Sequence, residues 1–216
     1  MLKVTSLNIN GIRAAERKGF FEWMDTHDAD ILCLQETIIS DADIKEHMRN
    51  REGYKSAFNP AEKKGYSGVA LYYKGNPDIS VGMGCDEFDP EGRIIQATWD
   101  DLTIVSAYLP SGSSSEERQA AKFRFLDKFG PWIDEMMQHH RDTGHEYIIC
   151  GDWNIAHKEI DIKNWRGNLK NSGFTPLGDL LRDGLRNDRP HGHEARRRGA
   201  RVALRGAGGG PLHLVE

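Results

Sequence analysis

Cysteine is scarce, with Cys33, Cys85 and Cys150 the only three in 216 residues. The odd number and the lack of any C-x-x-C spacing exclude a disulfide framework and a zinc knuckle, and they suit a reducing cytoplasm. No apolar run approaches the ~20 residues that a membrane span needs. The N-terminus, MLKVTSLNINGIR, lacks the apolar stretch and small-residue cleavage site of a secretory signal. A cytoplasmic protein without membrane contact is the expectation. Positive charge is not in excess either: 29 Lys and Arg stand against 33 Asp and Glu, a net charge of −4. Nothing global therefore advertises a polyanionic partner. No internal repeat is present.

One further absence is local. Residues 176–216 contain no Phe, Tyr, Trp, Ile or Met, and no Lys, Ser or Thr. They carry eight arginines against five acids, so this stretch is +3 and the remainder is −7. A flexible basic arm that grips phosphates is one reading. A stretch never selected to fold, such as translation in a shifted frame, is the other, and the lack of lysine and polar spacers favours it. The expected division is a folded domain over residues 1–174 and a disordered Arg/Gly/Leu-rich tail over 175–216.

What is there is globular. Hydrophobic residues make up 38% of the chain and charged residues 29%, enough for one domain with a sizeable core. Strand patterns cover Leu2 to Ile9, Asp30 to Leu34, Tyr54 to Phe58, Gly68 to Tyr73, Arg93 to Trp99, Leu102 to Leu109 and Tyr147 to Cys150. Asp100-Asp101 is tight enough to make the fifth and sixth of these a hairpin. Helical patterns cover Phe20 to Met24, Asp41 to Arg49 behind a Ser40 cap, and Glu116 to Arg141 behind Ser114 or Ser115. Pro131 is expected to bend the last. Hairpins mixed with helices predict sheets packed on each other with helices outside.

The polar residues gather where strands end. Asn8 and Asn10 follow VTSL, Gln35-Glu36 follows ILCL, Asp152 and Asn154 follow YIICG, and Tyr108 closes LTIVSAYLP. Taken singly, a strand-end Asp or Asn is ordinarily a turn residue. The pattern recurs three times, however, and it places carboxylate and amide oxygens on rigid supports. Such oxygens suit a hard cation such as Mg²⁺. On its own the pattern licenses metal-assisted hydrolysis or phosphoryl chemistry.

The segments SLNINGIRAA, DILCLQET, GYSGVALYYK and YIICGDWNIAHKEIDIKNW resemble the exodeoxyribonuclease III family, abasic-site endonucleases of the endonuclease/exonuclease/phosphatase superfamily. The resemblance runs over about residues 1–174. It implies an α+β fold, a four-layer αββα sandwich of two mixed sheets with outer helices. The implied activity is Mg²⁺-dependent hydrolysis of DNA phosphodiesters, with Mn²⁺ as an alternative metal. It comprises 3′ to 5′ exonuclease action and incision beside abasic sites in double-stranded DNA, by a monomer. By motif, Asn8 matches the asparagine that orients the acid–base network and Glu36 the principal metal-ligand carboxylate. Tyr108 matches the tyrosine that contacts the scissile phosphate, Asp152 the catalytic aspartate, and Asn154 a phosphate or metal contact. The implied metal set is thus Glu36, Asp152, Asn154 and Asn8. Asn10, Arg13 and Lys163 are the candidates for holding DNA; His157 and Trp165 are weaker ones.

Members of the family continue past the equivalent of Phe174 with a tryptophan-containing segment and a terminal S-D-H segment, and neither motif occurs here. The expectations are impaired activity and a second sheet with an unpaired edge. The competing class is a noncatalytic nucleic-acid-binding or regulatory relative, against which the retained Glu36, Asp152 and Asn154 argue.

Overall fold

Two of the apolar runs, Ile31–Gln35 and Val69–Tyr73, are buried at every position, which a strand achieves only with both faces covered. The computed structural model of the chain describes residues 2–112 and 115–154, and the backbone of 201–205. Its first sheet contains β1 (Val4–Asn8), β2 (Ile31–Gln35), β3 (Lys55–Asn59) and β4 (Val69–Tyr73) in the order β1-β2-β4-β3. Strand β1 runs parallel to β2, and the other pairs are antiparallel. The second contains β5 (Asp78–Val81), β6 (Ile94–Thr98), β7 (Leu102–Tyr108), β8 (Glu146–Asp152) and β9 (Arg201–Arg205), in chain order. There β5–β6 and β6–β7 are antiparallel, the latter being the expected hairpin, while β7–β8 and β8–β9 are parallel. The helices are α1 (Ile12–Glu16), α2 (Phe20–Thr26), α3 (Glu46–Arg49) and α4 (Glu116–Thr143).

The period of two along the strands sorts the core into three layers. Leu32, Leu34, Ala70 and Tyr72 face the helices, packing with Phe20, Phe21, Met24 and Met48. Their neighbours Ile31, Cys33, Val69 and Leu71 face the second sheet and meet Ile95, Ala97, Ile104 and Cys150. On the far side, Ile94, Val105, Ala107 and Ile149 pack under the α4 residues Phe125, Leu126, Phe129 and Ile133. Helix, sheet, sheet and helix therefore stack as the four layers of an αββα sandwich. The three cysteines are free thiols, with Cys33 and Cys150 buried between the sheets.

Helix α4 begins as its sequence predicts: the Ser115 side chain accepts from the Arg118 amide at 3.2 Å. It ends at Thr143 on a left-handed Gly144 (φ 77°), and Pro131 lies inside it. The predicted helix over Asp41–Arg49 is different. It breaks into a 3₁₀ turn, Asp41–Asp43, and the single turn of α3, because Ile44 is extended between them. The Ser40 hydroxyl caps nothing; it donates to the Asp43 carboxylate. Besides β9 and a 3₁₀ turn at Asp89–Glu91, two elements are not anticipated. Strand β5 is only four residues long, and although Ile79 and Val81 alternate with polar residues it is exposed at every position; α1 is only five residues long.

Of residues 175–216, expected to be disordered, only Arg201–Arg205 is described, and there the backbone forms a strand beside β8. Strand β8 is thus paired on both sides, and β9 is the outermost described strand of the sheet. The rest of the tail lies outside the described residues. Among the described residues, no helix is long and apolar enough to cross a membrane.

Candidate active site

Three strands of the two sheets end at the same place. Asn8 closes β1, Glu36 follows β2, and Asp152 closes β8. Asn8 joins the other two: its Nδ2 donates to Glu36 Oε1 at 2.9 Å and to Asp152 Oδ2 at 2.8 Å. Its Oδ1 accepts from the Asn10 amide at 3.0 Å. Every polar atom of this side chain is thereby used, and the partners fix which end of the amide is nitrogen. One neutral side chain holds two carboxylates together across the gap between the sheets.

The loops carrying these groups are bent into backbone conformations that most side chains avoid. Asn10 (φ 45°), Glu36 (φ 54°) and Asn154 (φ 49°) all occupy the left-handed region. For asparagine this costs little, but for glutamate it is strained and must be held by its surroundings. The Glu36 loop is held on both sides. Gly11 N donates to Glu36 O at 2.7 Å and Ile12 N to Thr37 O at 2.9 Å, while Thr37 and Ile38 donate to Gly68 O and Ser67 O. Gly68 (φ 88°) is needed there, since a Cβ would sit 2.3 Å from Thr37 Oγ1. Beneath the loop, the buried Gln35 reaches across the sheets to Ser106 Oγ at 2.9 Å, and Ser106 Oγ donates to Leu34 O at 3.1 Å.

On the β8 side, Asp152 Oδ1 accepts from the Asn154 amide at 3.0 Å, and Asn154 Nδ2 donates to Leu109 O at 2.8 Å. Both oxygens of Asp152 therefore accept N–H bonds, the arrangement of an ionised carboxylate. Tyr108 lies in register beside Asp152. Burial holds its phenol well above the ordinary tyrosine range; the nearby Glu36 charge and a hydrogen bond to that carboxylate add to the effect. Tyr108 is thus a neutral hydroxyl donor. Arg93, which is 3% exposed, stacks over its ring at 5.1 Å and donates to its carbonyl at 2.9 Å.

Sequence reasoning missed the groups around this cluster. Arg93 Nη2 and Arg118 Nη1 each donate to the Tyr66 hydroxyl at 2.7 Å, and Lys63 lies 5.4 Å above the same ring. Three cations therefore surround one tyrosine beside Tyr108. Lys122, buried on α4, donates to the Asn154 carbonyl at 2.7 Å. Burial lowers its ammonium to about 8, against a smaller opposing pull from Asp152. A signal for Lys122 did exist: it falls on the same spacing as Phe125, Leu126 and Phe129, the apolar stripe of the helix.

The structure joins Asn8, Glu36, Tyr108, Asp152 and Asn154 in one network and attaches Asn10 to it through the backbone. It leaves Arg13 exposed on α1, outside that network. Lys163, His157 and Trp165 lie outside the described residues.

The donor set fits a hard divalent cation. It offers carboxylate and amide oxygens, with no thiolate or imidazole in the network. Among the described residues, no three His, Cys, Asp or Glu side chains gather as a closed cage. A small cation bound through one or two carboxylates, with water completing its shell, has the chemistry that such an open set accommodates.

Comparison with known proteins places the chain among relatives. The chain is 37% identical over 178 residues to the DNA repair nuclease APEX1 of Danio rerio, an alignment covering 81% of this chain and 56% of that protein. It is 37% identical over 176 residues to the exodeoxyribonuclease of Bacillus subtilis, covering 81% and 67%. The chain thus spans between half and two-thirds of the length of these relatives. Among solved structures, an AP endonuclease from Archaeoglobus fulgidus superposes with a TM-score of 0.71 at 26% identity, covering 87% of this chain and 70% of that one. The endonuclease/exonuclease/phosphatase family model matches residues 5–211, well past Phe174, where the sequence motifs stop. With its strand-end carboxylates bridged by one asparagine and its match running over most of its length, the chain belongs to the endonuclease/exonuclease/phosphatase family.

Proposed function

We propose that this chain is a DNA-repair nuclease that hydrolyses phosphodiester bonds with the help of a divalent cation, Mg²⁺ in the first instance. The observation that carries the reading is the Asn8 amide held between Glu36 and Asp152. A domain that only bound nucleic acid would have use for Arg118 and Lys63, but none for two carboxylates drawn together from separate sheets. Their mutual repulsion is a standing cost unless a cation or a proton transfer uses them. Double-stranded DNA and its abasic sites are the proposed substrates. In support, relatives bear the names DNA repair nuclease and AP endonuclease.

Glu36 and Asp152, with the Asn154 side-chain oxygen beside them, would hold the cation; Asn8, expected among the ligands, instead turns its Nδ2 to the two carboxylates and its Oδ1 to the Asn10 amide, and so orients them. Once bound, the cation supplies Lewis-acid stabilisation of the charge that builds on a nonbridging phosphate oxygen. The rest is the work of the chain. Asp152, already accepting two N–H bonds, takes the proton of an attacking water as the new P–O bond forms. The bond from phosphorus to the 3′-oxygen breaks, and that oxygen leaves with a proton from solvent. Tyr108, kept neutral, donates to the phosphate. Arg118, bound to Tyr66, and the exposed Lys63 over its ring place positive charge beside it for neighbouring phosphates, while the buried Arg93, paired with Glu91, fixes the two tyrosines.

A Mg²⁺ titration followed by isothermal calorimetry tests the metal part. Wild type should bind weakly, and Glu36→Ala should bind at least about tenfold more weakly. Equal affinities in the two proteins would remove Glu36 from the metal site.

A further inference from the structure

Lys122 is the one charged residue on the buried face of α4, and it is 1% exposed. Among the described residues it forms no ion pair. Its one hydrogen bond among them is to a neutral acceptor, the Asn154 carbonyl, at 2.7 Å. Burying an ammonium on such terms is costly, and a leucine or methionine would fill the stripe at less expense. Packing therefore does not account for it.

The point of attachment does. Asn154 is in the left-handed conformation, φ 49°, and three of its polar groups are tied. Its amide bonds Asp152 Oδ1 at 3.0 Å, its side-chain nitrogen bonds Leu109 O at 2.8 Å, and its carbonyl takes the Lys122 bond. The first tie also orients the Asp152 carboxylate, whose other oxygen is held by Asn8. Without Lys122 the carbonyl would be free to rotate, and the amide bond to Asp152 would loosen with it.

We propose that Lys122 is a positioning residue: from inside α4 it clamps the Asp152–Asn154 turn and so sets the aim of the Asp152 carboxylate. The functional side of this inference rests on the nuclease reading above. A misplacement of about 1 Å at a reacting group can cost on the order of 10²-fold in rate. Lys122→Met keeps the length and volume of the side chain and removes the donor.

In Lys122→Met we expect hydrogen exchange at the Asn154 amide to quicken at least about tenfold, while the β7 amides of Ile104 and Val105 keep their protection. On abasic duplex DNA, kcat should fall on the order of 10²-fold with KM within about twofold, and Lys122→Arg, which keeps a donor and a charge, should recover part of the loss. An unchanged Asn154 amide, or a quickened amide with kcat unchanged, overturns the proposal. So does a fall in kcat that Lys122→Arg fails to relieve. Should wild type cleave no DNA, the nuclease reading fails by itself, and the amide result still decides whether the clamp exists. Should Lys122→Met not fold, the wild type decides. Slowly exchanging Lys122 ammonium protons with a scalar coupling to the Asn154 carbonyl support the clamp, and their absence overturns it.

Discussion

Asn8 has no charge and no reactive group, yet the site is built around it. It satisfies one oxygen of Glu36 and one of Asp152 and is itself locked by the Asn10 amide. Its geometry also explains why so ordinary a residue type can be read from sequence only by motif: a strand-end asparagine is usually a turn residue, and its two carboxylate partners lie 28 and 144 positions away. Asn8→Asp would preserve the shape and turn the donor into a third negative oxygen facing the other two. DNA cleavage should fall by on the order of 10²–10³-fold, the usual cost of removing one well-placed donor. Stability in urea should change by no more than about 2 kcal/mol, because Asn8 is only half-buried. Cleavage within about threefold of wild type would mean that the bridge does not matter.

At the scale of elements, the strands that reach the site are the ones the sequence shows best. Strands β2 and β4 are continuous apolar runs, and β7 and β8 lie close to their expected bounds. Burial on both faces leaves few residue types available, and that restriction is visible in a single sequence. Strand β5 shows the opposite: its apolar Ile79 and Val81 are exposed, and it is held by its ladder to β6. The Asp41–Arg49 segment misled because Asp, Glu and Lys suit a helix locally, while Ile44 turns inward and interrupts it. The cations around Tyr66 were illegible for a different reason, since Arg93 and Arg118 come from β6's approach and from α4 and meet only in three dimensions. Gly151 marks where the elements press hardest. In the parallel pair of β7 and β8 it faces Ala107, and a Cβ there would lie 2.1 Å from the Ala107 oxygen. Gly151→Ala should cost at least about 1–3 kcal/mol in urea unfolding and reduce cleavage as well, since Asp152 is the next residue. An unchanged urea midpoint would show that the two strands have room to part.

Across the whole molecule, three apolar layers hold two sheets face to face, and the site lies at the sheet ends where only side chains cross. Tyr72 belongs to the layer under the helices, with its hydroxyl donating to the Met48 carbonyl. Burial holds its phenol well above the ordinary value of 10. The unfolded chain would release that proton near pH 10 while the folded chain keeps it, so the unfolded state binds fewer protons. Stability must therefore fall as pH rises beyond about 10, by about 1.4 kcal/mol per pH unit for each such group. Tyr72→Phe should make the slope shallower by one proton between pH 10 and 12, and an unaltered slope would show that this phenol ionises freely. The central claim, that Asp152 and its bridged partners form a metal-assisted phosphodiesterase, is tested most directly by one assay. Wild type and Asp152→Asn are compared on an abasic duplex in Mg²⁺, with EDTA as the control. The account predicts incision by wild type that EDTA abolishes and that Asp152→Asn loses by at least about 10²-fold. Incision that survives EDTA, or that Asp152→Asn retains within about tenfold, a barrier change of ~1.4 kcal/mol or less, would contradict it.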